Sequence, residues 1–172
     1  LTQSDLFHLT RAEADIERPD KLSATADTLT PSGPRHGAKC IVIGSQGWLA
    51  NSPTEQYQPN VEVVAFARLF DAQTGLGALL TRIEQPSPPQ SHKDIWVTYG
   101  SVPADALSPL FPSLAGRTDP VMVDVDISQS DRQLVGLNLT GMLFPGESHP
   151  YSHIFSFSRY GAPVSIQPPA GV

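Results

Sequence analysis

The sequence predicts an α+β fold in which short helices lie across one face of an antiparallel β-sheet. Most of the 172 residues alternate between apolar and polar side chains, the period of strands with one buried face. The segment 63–83 instead places its apolar residues three and four positions apart, which is the spacing of one helical face. The length and a hydrophobic content of 40% predict a single domain over residues 1–172.

Four strands are predicted in the first part of the chain, over residues 6–16, 21–29, 38–43 and 46–51. Their side chains alternate between apolar and polar, as in a sheet with one solvated face. Residues 31–37 are predicted to form a turn. The small residues Gly44 and Gly47 favour a tight hairpin between the third and fourth strands.

Helical pieces are predicted near residues 65–70, 73–84 and 103–115. The sequence Asp71 to Gly75 separates the first two, and Pro109 and Pro112 must break or distort the third. Their apolar stripes consist of Phe66, Leu69, Phe70, Leu76, Leu79, Leu80, Ile83, Leu107, Leu110, Phe111 and Leu114.

The second part of the chain returns to the strand period, with strands predicted over 94–100, 121–127, 133–143 and 152–160. Three prolines within 85–91 exclude a helix or a central strand there. Asp124 and Asp126 alternate with valines, so we expect both carboxylates on a solvated outer face rather than in a catalytic pair.

Few side chains suggest chemistry, and we predict neither catalysis, nor a bound metal, nor a cofactor. The net charge of −6 and the scattered basic residues argue against nucleic acid. The single cysteine, Cys40, excludes an intrachain disulfide and is expected to be a half-buried structural thiol. His149 and His153 have no obvious third ligand for zinc, and we interpret them as ordinary loop and strand histidines.

The apolar helical stripes have two interpretations that the residues alone leave open. One is a packed core, the usual role of such stripes. The other is an apolar cavity, which short broken helices rich in leucine and phenylalanine would suit.

The order of elements resembles the LppX/LprG-type envelope lipoproteins, which have a LolA/LolB-like fold. Three regions carry the resemblance: IVIG with GWLA in the paired strands at 41–50, LFD with TGLGALL at 69–80, and FSFSRYGAPVSIQPP at 155–169. The resemblance implies a strongly curved antiparallel sheet, a half-barrel, with helices over its concave face. It also implies a precursor with a signal peptide and a lipidated N-terminal cysteine, and the start at Leu1 suggests that a leader is missing from this sequence.

The implied function is non-catalytic lipid binding and transport at the outer side of the cytoplasmic membrane. The partners would be a lipid or other long-chain apolar ligand, the membrane through the N-terminal anchor, and an envelope transporter. The expected cavity residues are Trp48, Phe66, Leu69, Phe70, Leu76, Leu79, Leu80, Ile83, Val97, Leu107, Leu110, Phe111 and Leu114. Two alternatives are a structural or adaptor envelope protein that binds another protein through its sheet or helix face, and a lipid hydrolase, which would need a converging serine, histidine and acid.

Overall fold

The computed structural model describes residues 9–30, 33–68, 71, 75–109, 111–144 and 147–170. These residues form two five-stranded antiparallel sheets and several short helical pieces, which confirms the antiparallel α+β prediction but replaces the one predicted sheet with two. The strands are β1 (Leu9–Glu17), β2 (Lys21–Thr30), β3 (Gly33–Ile43), β4 (Gln46–Ala50), β5 (Gln58–Pro59), β6 (Gln90–His92), β7 (Ile95–Pro103), β8 (Pro120–Ser128), β9 (Leu134–Gly141) and β10 (Tyr151–Ser156). The chain divides into two compact units, Leu1–Gly77 with Pro163–Val172, and Ala78–Ala162.

The sheet of the first unit has the strand order β1-β2-β3-β4-β5. Leu22 of β2 lies opposite Val42 of β3, and Cys40 of β3 lies opposite Leu49 of β4. Directly opposite residues share a sheet face, so the alternation seen in the sequence produces one apolar face. Together with Val63, these four residues form the buried cluster of this unit.

Strand β3 begins at Gly33, so the predicted turn over 31–37 was wrong for its described residues. Gly37 adopts a left-handed backbone with φ of 70°, and the β2–β3 pairing is irregular at this position. The Gly37 N–H donates to Oδ1 of Asp27 at 2.9 Å. This bond satisfies an N–H group that the bulge removes from the backbone pairing of β2 with β3. The glycine therefore makes a bulge inside the strand, where the sequence suggested that the strand had not yet begun.

A helical segment covers the apolar face of this first sheet. Asn60 caps its first turn, because Oδ1 of Asn60 accepts the N–H groups of Glu62 at 2.9 Å and Val63 at 3.3 Å. The turn Val61–Val63 continues into helix α1, Val64–Ala67. Phe66 of α1 packs against the buried cluster.

The C-terminal tail is attached to the first unit at the end of β1. The N–H of Ile166 donates to Oε2 of Glu17 at 2.8 Å, and Nζ of Lys21 lies 2.8 Å from the other oxygen of that carboxylate. The hydrogen bond from the Ile166 N–H contributes most to lowering the pKa of Glu17, and Lys21 lowers it further. Ile166 itself is buried, so the carboxylate holds an apolar anchor of the tail in place.

The sheet of the second unit has the strand order β10-β9-β8-β7-β6. One cross-strand row runs through Gly100 of β7, Val123 of β8, Leu139 of β9 and His153 of β10. Neighbouring residues on the same face include Val121, Val125, Val102 and Leu137, all of them buried. The strand pattern of residues 121–127 therefore predicted this face correctly.

The helical pieces are shorter than predicted and are mostly single turns. Helix α2 (Leu76–Leu79) continues as a 3₁₀ turn over Leu80–Arg82. The predicted helix 103–115 is two 3₁₀ turns, Ala104–Leu107 and Pro112–Leu114, because its internal prolines interrupt helical bonding. Among the described residues, no helix has the length and apolar character needed to cross a membrane.

Replacing Gly100 with alanine should lower the free energy of unfolding by about 1–3 kcal/mol, because overpacking a filled site forces its neighbours to move. A Cβ at Gly100 would collide with Cγ2 of Ile83 and approach the carbonyl oxygen of Glu84 to 3.1 Å. Gly77→Ala is the matched control, since a Cβ there meets nothing within 4 Å and alanine favours the helix. Urea unfolding of both variants measures the difference, and equal stabilities would contradict the contact with Ile83.

Candidate apolar site

The buried face of the second sheet is covered at β7 by the residues that follow α2. Ile83 lies over Gly100, whose missing side chain makes room for it. The Glu84 N–H donates to the Ser101 carbonyl at 2.7 Å, and the Ser101 N–H donates back to Glu84 at 3.2 Å. This pair of bonds fixes the end of the helical segment against the strand.

At the opposite edge, aromatic rings cover the same face beside β10. The ring of Phe144 meets that of His153 edge-to-face at a centroid distance of 5.2 Å. It also meets the ring of Phe111, between the two 3₁₀ turns, at 5.4 Å in the same manner. Because His153 and Gly100 belong to one cross-strand row, Ile83 and Phe144 cover two ends of one apolar face, which we call the covered face.

Five of the sequence-predicted site residues are buried in the protein itself. Leu107 and Leu114 have no exposed surface, and Leu76, Leu79 and Phe111 are less than a tenth exposed. Leu80 and Ile83 are half-buried. An acyl chain can therefore reach the deepest of these side chains only if their cover moves.

Two other predicted site residues point away from the buried face of their own sheet. Val97 lies opposite Asp126 and so points to the other side of the second sheet, away from Val123 and its row. In the first unit, Trp48 lies opposite Ile41, on the face away from the cluster that Phe66 contacts. Leu69, Phe70 and Leu110 lie outside the described residues.

One polar pair, Glu147 with His153, was not predicted from the sequence. Oε1 of Glu147 lies 3.2 Å from Nε2 of His153, and both side chains are less than a fifth exposed. The other carboxylate oxygen accepts the N–H of Phe144 at 3.0 Å. Burial lowers the pKa of His153, and the nearby carboxylate opposes this only in part. The sequence held one signal: His153 alternates with Phe155, which places it on the apolar side of β10.

The predicted outer face carries the two carboxylates as expected. Asp124 lies in a row with Tyr99, Asn138 and Ile154, opposite to the valine face, and Nδ2 of Asn138 donates to it at 3.2 Å. The described residues contain no group of three or more histidine, cysteine, aspartate or glutamate side chains that could hold a metal ion.

Cys40 should resist thiol reagents at neutral pH in the folded protein. The side chain is buried at 6% exposure, and burial raises its pKa to about 11, so almost no thiolate is present. We expect fewer than about 1% of molecules to be ionised at pH 8, and labelling to become rapid only when denaturant is added. Rapid labelling of the native protein would contradict the placement of Cys40 in the first cluster.

Two five-stranded antiparallel sheets, short helical turns and a covered apolar face define an α+β protein. The chain matches the LppX/LprAFG lipoprotein family over residues 2–166, and it belongs to this family. It is similar in fold to the crystal structure of LprF from Mycobacterium bovis, with a TM-score of 0.68 at 17% identity, over 99% of this chain and 85% of that one. No curated protein matches the chain.

Proposed function

We propose that the protein binds lipids and carries their acyl chains in an apolar site between a curved sheet and its helical cover. The observation that carries this proposal is the covered face of the second sheet. Phe144 and Phe111 cover it beside β10, and Phe111 lies between the separate helical turns Ala104–Leu107 and Pro112–Leu114. Such turns share no continuous helix, so one can shift without unwinding the other. Membership in a lipoprotein family gives independent support.

The proposed site is non-catalytic and selects ligands by length. Each methylene transferred from water contributes about 0.8 kcal/mol, which is about a fourfold gain in affinity. The eleven basic residues are scattered along the sequence, so we expect the headgroup to matter less than the chain.

Fluorescence displacement with saturated fatty acids of increasing length, from eight to eighteen carbons, tests this proposal. Affinity should rise by about fourfold for each carbon until the site is filled and then level off. Equal affinity for all lengths, or no displacement by any of them, would overturn the proposal.

The lipoprotein family places the protein among exported, envelope-associated proteins. We propose that it is held at the outer side of the cytoplasmic membrane by an N-terminal lipid anchor. There it would pass lipid to or from an envelope transporter. More than one acyl chain at the anchor would be needed, because a single chain holds a protein only marginally.

A second candidate function is that of an adaptor for another envelope protein. The observation that favours it is the set of exposed apolar side chains on the outer face of the second sheet, where Ile154 is 74% and Met122 50% exposed. Ile154→Ser with Met122→Ser should leave fatty-acid binding unchanged under the lipid proposal. Loss of co-purification with an envelope protein, in a variant that still binds lipid, would favour the adaptor function.

A further inference from the structure

In the connection between β9 and β10, the described residues Phe144 and Glu147 are fastened to the covered face through one carboxylate. Glu147 accepts the Phe144 N–H at 3.0 Å through Oε2, and its Oε1 lies 3.2 Å from Nε2 of His153. Nε2 of His153 has no hydrogen-bond partner among the described residues. Glu147 and His153 are therefore close enough for an ion pair, but their atoms are not aligned for a hydrogen bond. Phe144 in turn touches Phe111 of the helical cover. We call Phe144, Glu147 and His153 the latch.

Among the described residues, few charges lie near the imidazole of His153. Glu147 is the charged group that faces it from the loop, and the phenyl ring of Phe144 covers one side. The charge of Glu147 contributes to a raised pKa of Arg117. The Arg117 guanidinium is nevertheless bound to Asp119 at 2.6 Å and to the Met142 carbonyl at 2.9 Å. His149 stacks on Tyr151 instead, at 4.2 Å between ring centroids.

We propose that the latch is acid-sensitive: it holds Phe144 and Phe111 over the covered face near neutral pH, and acidification opens it and releases the bound acyl chain. This inference rests on the proposed lipid-binding function. It adds a trigger for the movement of the cover, without which an acyl chain cannot reach the buried leucines.

The direction follows from the surroundings of the imidazole. In the closed latch, burial holds the pKa of His153 below its ordinary value, whereas an opened loop exposes the ring to water and restores it. Opening therefore takes up a proton. The closed form is fully favoured above the ordinary histidine pKa, and this advantage is lost as the pH falls through the lowered value.

The test measures release of a fluorescent sixteen-carbon fatty acid into excess phosphatidylcholine vesicles at about pH 7.5 and about pH 5, on either side of the ordinary histidine pKa. The parent should release at least about threefold faster at the lower pH. His153→Phe keeps an aromatic ring against Phe144 but cannot titrate, so its two rates should agree. His149→Phe, the matched control in the same connection, should behave like the parent.

Two further variants keep the test decisive. His153→Gln replaces His153→Phe if the latter does not fold, with the same expectation. Glu147→Gln retains an acceptor for the Phe144 N–H but removes the charge that attracts the imidazolium. It should match the parent near neutral pH and release faster than the parent in acid. Unchanged pH dependence in His153→Phe or His153→Gln would overturn the latch.

Hydrogen exchange of the Phe144 amide separates the latch from the lipid proposal, because it needs no ligand. After correction for intrinsic rates, its protection should fall in acid in the parent and not in His153→Phe. If protection behaves this way while no fatty acid binds, the latch stands and the lipid function fails. Protection that is independent of pH in the parent would overturn the latch whatever the lipid result.

Discussion

Replacing Leu79 with arginine should abolish lipid binding, with a fall in affinity of more than about a hundredfold. Leu79 lies in α2 and is 3% exposed, so a guanidinium at this position would be buried in the protein. An unpaired buried charge costs several kcal/mol, more than the few methylene contacts that it replaces. Fatty-acid displacement, as above, measures the loss.

The control for Leu79→Arg is Asp124→Asn, on the outer face of the second sheet. Its carboxylate lies opposite Asn138 and Tyr99, so an amide can take its place without touching the covered face. It should bind like the parent. Circular dichroism must show that the arginine variant is folded, and lipid binding that survives in a folded Leu79→Arg protein would place the site elsewhere.

Replacing Leu107 with alanine should lower the free energy of unfolding by about 2–5 kcal/mol, the range for leucines deleted from filled cores. Leu107 has no exposed surface, and the Phe111 N–H donates to its carbonyl at 2.8 Å, so the side chain anchors the segment that carries Phe111. Urea unfolding measures the change. Changing the half-buried Leu80 to alanine should lower the free energy of unfolding by about 1 kcal/mol.

The same variant bears on the two interpretations of the helical stripes. If the leucines are only packing, Leu107→Ala destabilises the protein with and without fatty acid by the same amount. If they also touch an acyl chain, saturating ligand stabilises the parent more than it stabilises the variant. A cost below about 0.5 kcal/mol would contradict the burial of Leu107.

The strands could be predicted because local alternation determines them. One apolar face is evident from Val121, Val123 and Val125 alone. The register that pairs them with Val102, Gly100 and Thr98 follows from keeping that face buried. The hairpin at Gly44 and the breaks at Pro109 and Pro112 were equally local. The failures were local too: a left-handed Gly37 continues a strand where a glycine more often ends one.

The division into two sheets could not be predicted in the same way. Nothing in the period of a strand states which neighbour it pairs with, and β5 and β6 are edge strands of two and three residues. The direction of Val97 does not follow from the pattern, because its strand alternates apolar residues on both sides. Glu147 lies in a loop and His153 in β10, so only the folded chain brings them together. The alternation of His153 with Phe155 was the one sequence signal that His153 is buried.

Native mass spectrometry with lipid extraction, on protein isolated from cells and kept out of detergent, tests lipid binding most directly. It reports both the occupancy and the chemical identity of a bound molecule. We expect a stoichiometric adduct that extracts as one or more long acyl chains and that is missing from Leu79→Arg but present in Asp124→Asn. A bare protein mass in all three, together with no uptake of added sixteen-carbon fatty acid, would contradict the proposed function.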